Sequence, residues 1–198
     1  MDYEIDIRDE IVTNEKIHIG HPKSKEAPRI TNSRIVSCEV IIEGLSKSII
    51  SKVVFKNCTI KCKRAKSNNF KLVQFIDCKF YGSLEGSVLG SPDIESEGFE
   101  AKISNCDFSE LNMNLVDFRH GLEVETCKMP PWPHVTFERT NDSRSELKAL
   151  DLPLRVVRML GSKVLGEKNY CVYDLSKYDC DLEHAREVIS QSKYATSS

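Results

Sequence analysis

Apolar residues in this chain recur neither at every second position nor at the 3.6-residue step of a helix. They recur every five. Phe70, Phe75 and Phe80 are five apart, and so are Phe108, Met113 and Phe118. Two positions before the second set lie Cys106, Leu111 and Val116. A small or medium apolar residue is thus followed, two positions on, by a large one, and the pattern restarts. A longer period contains this one. The form apolar-x-x-Cys-x-apolar occurs at 35–40, 55–60, 75–80, 103–108 and 124–129, with cysteine spacings of 20, 20, 28 and 21. A chain that turns a corner every five residues closes four sides in about twenty, and such coils stack at strand spacing, about 4.8 Å. The pattern predicts a mainly β fold, a right-handed β-helix whose core is continuous only through neighbouring coils. Large residues form inward ladders, and the cysteines suit a tight ladder position.

This spacing resembles the pentapeptide-repeat family, in which the central residue of each five is large and the residue two before it is small. The central residues are Phe55, Ile60, Phe75, Phe80, Phe108, Met113, Phe118 and Met129. The smaller set is Val53, Cys58, Val73, Cys78, Cys106, Leu111, Val116 and Cys127. Asp107, Asn112 and Asp117 stand where the family often has Asn or Asp, just before the central residue. The resemblance covers about residues 33 to 129 and implies a quadrilateral β-helix, more often a binding surface than an enzyme. Stretches 41–52 and 81–99 leave the step. A hexapeptide helix would step by six, and this chain does not.

The flanks read differently. Residues 1–32 are expected to cap the stack, because an open coil end is a sheet edge that invites pairing. There 4–7 and 16–19 alternate as half-buried strands do. The stretch 82–98 holds four glycines and four acids and reads as a solvated loop. Pro130, Pro131, Trp132 and Pro133 end the stack, and 130–198 reads as a C-terminal helical cap or subdomain. Within it 142–162 is expected to be helical, capped by Asp142 or Ser143, with an apolar face of Leu154, Val157 and Leu160 ended by Gly161. That face serves either the cap core or a homodimer contact. Tyr170 to Tyr173 reads as a strand, Asp181 as the cap of a last helix, and 195–198 as a frayed end.

Composition changes this picture little. The chain has 198 residues, 40% hydrophobic and 29% charged, with no membrane-length apolar run. Its acidic opening has no apolar h-region, so no secretory signal is expected. Eight cysteines, mostly in the repeat, are expected to be reduced and buried in a cytoplasmic protein.

Charge is unevenly placed. Residues 46–80 carry nine Lys/Arg against Asp77, and 81–126 carry ten acids against Lys102 and Arg119. Such a split suits electrostatic complementarity to a partner. The expected partner-binding residues are Glu85, Asp93, Glu95, Glu97 and Glu100 on the acidic side and Lys61, Lys63, Arg64 and Lys66 on the basic side. Trp132 is either a plug over the last coil or an anchor. The basic run could touch phosphates, but it has no outward aromatics for bases. Some pentapeptide-repeat proteins mimic DNA and protect a topoisomerase; that needs a long acidic face, and here it spans about two coils.

Chemistry is sparse. Cys58 and Cys62 make half a metal site, with Cys180 and His184 far along the chain. His18, His21, His120, His134 and His184 are scattered, and no nucleophile motif or phosphate loop accompanies them. The expectation is a non-catalytic recognition protein, without cofactor or metal, that masks or inhibits a protein partner as an immunity or protector protein does. An enzyme using a cleft between β-helix and cap, lined by His134, is the second expectation, and a nucleic-acid contact the third.

Overall fold

In a computed structural model, which describes residues 5–20, 28–43, 49–66, 69–90, 98–119, 122–161 and 168–197, the five-residue frame is buried along its length. Ile30, Ile35 and Val40, then Ile50, Phe55, Ile60, Ala65, Phe70, Phe75 and Phe80, are at most 7% exposed. The positions two before, Ser33, Cys38, Val53, Cys58, Val73 and Cys78, are buried with them. Ile50 lies in a stretch that leaves the step in sequence, yet it fills the frame. Phe55 and Phe75 stack with centroids 5.2 Å apart, and Phe80 lies tilted against Phe108 at 4.6 Å. Such pairs add to the burial of the rings themselves.

The chain turns by placing single residues in the left-handed region. Asp9, Asn14, Asn32, Ser37, Asn57, Asp77 and Asn105 have φ between 50° and 58°. Asn and Asp tolerate this conformation best after glycine. Each corner sits two residues beyond an inward one, and its N–H reaches the next coil: Asn57 donates to Ile76 O and Asp77 to Ser104 O, both at 3.0 Å.

The strands run in coils. The first holds β1 (Asp6–Arg8), β2 (Ile11–Thr13) and β3 (Lys16–Ile19). Next come β4 (Arg29–Thr31), β5 (Arg34–Val36) and β6 (Glu39–Glu43), then β7 (Ile49–Lys56), β8 (Thr59–Lys66) and β9 (Asn69–Phe70). After them come β10 (Leu72–Ile76), β11 (Lys79–Glu85) and β12 (Val88–Leu89), then β13 (Lys102–Ser104), β14 (Asp107–Asn114) and β15 (Val116–Phe118). Like strands pair in parallel and form three sheets. Sheet A contains β1, β4, β7, β10 and β13, with β2 and β5 beside them; sheet B stacks β3, β6, β8, β11 and β14; sheet C begins with β9, β12 and β15. The fold is a β-solenoid. Its strands are not four equal five-residue sides, because β7 and β8 run on through left-handed residues at Lys52 and Arg64.

One boundary differs from the sequence expectation. Residues 5–19 are no separate cap, since β1, β2 and β3 pair in register with β4, β5 and β6. At the other end the appended region has the expected helices and the expected strand near 170–173, together with two further strands. It contains β16 (His134–Arg139), α1 (Arg144–Ala149), α2 (Leu154–Leu160), β17 (Asn169–Asp174), α3 (Leu182–Ser190) and β18 (Ala195–Thr196). β17 pairs antiparallel with β15, so sheet C continues as β15, β17, β16, β18 and closes one edge of the stack. Pairing of β18 with β16 orders residues that read as frayed.

A second core lies under this sheet, around Val135, Phe137, Cys171 and Ile189. Leu115, left-handed at φ 57°, packs against it from the solenoid. The helix expected over 142–162 is two helices, and α2 buries Val156 and Leu160, one turn apart, while Leu154 is 63% exposed. Asp181 caps α3, accepting from Glu183 N at 2.9 Å and His184 N at 3.2 Å.

Candidate binding surfaces

Alternation along each strand sends every second residue outward. On sheet B two columns therefore run up the stack, Lys16–Glu39–Thr59–Lys79–Asp107 and His18–Ile41–Lys61–Tyr81–Glu110. These columns neutralise themselves. Glu39 holds Lys61 at 2.6 Å and Lys16 at 2.9 Å, and Lys79 meets Glu110 at 2.9 Å. Lys61 first and Lys16 second hold the Glu39 carboxyl down to about 2. Near one end, Lys66 meets Glu85 at 3.2 Å. Part of the charge split in the sequence is thus taken up between coils, where opposite charges face each other across strands.

The side of sheet A formed by β2, β5, the second half of β7, β10 and β13 is built differently. Its outward columns are Ile11–Arg34–Val54–Gln74–Lys102 and Thr13–Val36–Lys56–Ile76–Ser104. None of the ten is an acid. Ile11 is 72% exposed. Arg34, Lys56 and Lys102 are exposed, and among the described residues no carboxylate pairs with them. Sequence reading missed this face. Its members come from coils of unequal length, so the column is invisible until the register is known.

A cleft of about 290 Å³ lies between the last coil and the appended region, with Val124, Cys127 and Met129 on one wall and Thr136, Tyr170 and Tyr194 among the opposite residues. At its edge Lys168 bridges Glu125 at 2.8 Å and Glu138 at 3.4 Å, and the Tyr170 hydroxyl donates to Glu125. Desolvation pushes the Glu125 carboxyl up, but Lys168 and Tyr170 outweigh it and hold it at about 2. Burial, then the hydrogen bond to Glu125, pushes the Tyr170 phenol to about 12. At neutral pH one is ionised and the other protonated, so the cluster braces the junction. His134 does not line this cleft. Its Nε2 accepts from Met113 N at 3.3 Å and its Nδ1 donates to Pro131 O at 2.9 Å, which bolts β16 to β14. Beside it Asp174, 3% exposed, accepts from Ser176 and from Asn112.

The expected partner residues do not converge. Lys61 and Lys66 are ion-paired on β8, whereas Lys63 and Arg64 are exposed there. Glu85 is on the next coil, and Lys66 holds its carboxyl below the ordinary range. Glu100, also exposed, precedes β13 on another sheet. Asp93, Glu95 and Glu97 lie outside the described residues. Trp132 is half-buried on the second core with Arg186 across its ring at 5.6 Å, so it does not plug the solenoid.

Six of the eight cysteines are buried, and Cys127 and Cys180 are partly exposed. All eight are free thiols, and Cys58 donates to Ile35 O and Lys56 O, each at 3.3 Å. Burial pushes the Cys62 thiol up to about 12. The thiol of Cys106, then burial, pushes Cys127 well above its ordinary range. Among the described residues no group of three His, Cys, Asp or Glu is placed to hold a metal, and no helix is long and apolar enough to cross a membrane. Compared with known proteins, the chain matches no protein family, no curated protein and no solved structure.

Proposed function

We propose that this protein is a non-catalytic recognition scaffold that binds a protein partner and masks or inhibits it. One observation carries this reading: two equivalent sides of the same stack are treated differently. The two outward columns of sheet B pair their cations with acids, while those of the β2–β5–β10–β13 side carry cations and aliphatic side chains and no acid. Interfaces combine apolar contact with electrostatic complementarity, and a stacked β-core offers such a face without an ordering cost on binding. The five-residue frame is consistent with kinship to the pentapeptide-repeat proteins and a cytoplasmic immunity-like or protector-like role, both part of the proposal.

The test is affinity purification of the tagged full-length protein from its native host at physiological salt, followed by assay of the co-eluting protein's activity. Expected is one stoichiometric partner whose activity falls when the scaffold is added back. Absence of any stoichiometric partner, or a partner whose activity is unchanged, overturns the masking role. Turnover of a small molecule by the scaffold alone overturns the non-catalytic reading.

A further inference from the structure

We infer that the β2–β5–β10–β13 side is the docking face, and that its occupant is an acidic, aliphatic-bearing extended or helical segment of another protein. This rests on the recognition reading above and names the surface and the partner's chemistry.

The two outward columns interlock. Ile11 on the first rung, Val36 on the second, Val54 on the third and Ile76 on the fourth form a zigzag of β-branched side chains up the face. Between them stand Arg34 and Lys56, with Lys102 closing the fifth rung. Ile11 is the most exposed large hydrophobic residue among the described residues. Five rungs at about 4.8 Å, and one side about five residues wide at about 3.3 Å each, give a face of roughly 400 Å². That is well short of the ~800 Å² per partner of a globular interface, and it matches what one segment lying along the stack covers.

Charge complementarity sets the sign of that segment. Three exposed cations with no described carboxylate partner, in two columns that hold no acid, favour Asp and Glu; Glu100 and Glu123 stand only at the Lys102 edge, where they share a recess with Gln74 and Lys102. The aliphatic zigzag decides the class. A phosphate backbone gains nothing from Ile11, Val36, Val54 and Ile76, and no aromatic stands on this face to stack a base. A protein segment that alternates acids with aliphatic residues satisfies both sets at once.

The experiment uses the full-length protein, a labelled peptide alternating glutamate with valine, and a single-stranded oligonucleotide of equal charge. The variants are Arg34→Glu with Lys56→Glu, Ile11→Ser with Ile76→Ser, and Lys63→Glu on sheet B as control, each checked for an unchanged circular dichroism spectrum. The peptide is expected to bind the wild type in preference to the oligonucleotide. Charge reversal should weaken it about tenfold or more, the serine pair several-fold, and Lys63→Glu not at all. Equal peptide binding by wild type and charge-reversed protein overturns the face. Preference for the oligonucleotide overturns the occupant and assigns the face to phosphate. Dimerisation in ultracentrifugation, lost in the serine pair, assigns it to a second copy. The same variants serve as bait in the native host: a stoichiometric partner retained by the charge-reversed protein leaves the recognition reading standing and removes this face from it.

Discussion

Gly82 gives the sharpest test of the stacked geometry. It sits on β11 opposite Cys62 of β8, beside a register shift, at φ +94°. A Cβ there would stand 2.1 Å from the Cys62 carbonyl oxygen, where ordinary contact is 3.4 to 4 Å. Gly82→Ala therefore has two costs. The left-handed backbone with a Cβ costs about 1 kcal/mol. Moving β8 and β11 apart by more than an ångström, when each is also paired on its other edge, costs about 1–3 kcal/mol more. Gly98 is the control, because it has φ +79° and no atom within 4 Å of where a Cβ would stand. Gly98→Ala keeps only the backbone cost. For a chain of this size about 1 kcal/mol shifts the melting temperature by about 2–4 °C. Gly82→Ala should thus melt about 5–15 °C below wild type and Gly98→Ala about 2–4 °C below, with urea titrations giving the same order. Variants whose stabilities agree within about 0.5 kcal/mol would refute the close approach of the two strands.

Three further outcomes follow from the same packing. Ser33 and Ser87 occupy inward small positions and donate to the carbonyls two residues before them, as Cys78 does to Ile76 O; urea unfolding should show Cys78→Ser within about 1 kcal/mol of wild type and Cys78→Leu at least about 2 kcal/mol less stable, through overpacking. In the native state a thiol reagent should modify Cys127 and Cys180, which are partly exposed, well before the six buried cysteines, and uniform labelling of all eight would contradict the ladder. The Glu39 carboxyl, held at about 2 by Lys61 and Lys16 against an ordinary 4.5, stabilises the fold above about pH 4.5, and that contribution is lost as pH falls towards 2. Glu39→Gln should melt lower than wild type at neutral pH, with the difference closing by about pH 2; a constant difference across that range would remove the ion pairs from the account.

Much of the fold was legible because a solenoid repeats its local rule. Ile60, Phe80 and Phe108 mark the inward side, and Cys58, Cys78 and Cys106 mark the position two before each; both sets are buried. The same step was present earlier and was missed. Ile7, Val12 and Ile17 are five apart and belong to the first coil, but without a cysteine or phenylalanine they resemble ordinary alternating strands. The appended region was legible helix by helix, as at Asp181, but not in its pairing. That β17 would add antiparallel to β15 depends on contacts between residues far apart in sequence, which no local period encodes.

The candidate face was the least legible feature. Counting charges along the chain draws attention to Lys61 to Lys66 and to the acids after residue 80, because runs are visible in one dimension. Stacking puts Lys61 beside Glu39, Lys66 beside Glu85 and Lys79 beside Glu110, so part of each run is paired in space. Arg34, Lys56 and Lys102 lie in three different stretches and come onto one face only through the register.

The most direct test of a face reserved for a partner is hydroxyl-radical footprinting of the full-length protein, free and bound to the partner captured from its host. The account predicts that Ile11, Val36, Val54 and Ile76 lose reactivity on binding while Tyr81, on the self-neutralised sheet, keeps its own. Protection of Tyr81 with Ile11 and Ile76 unchanged would contradict it.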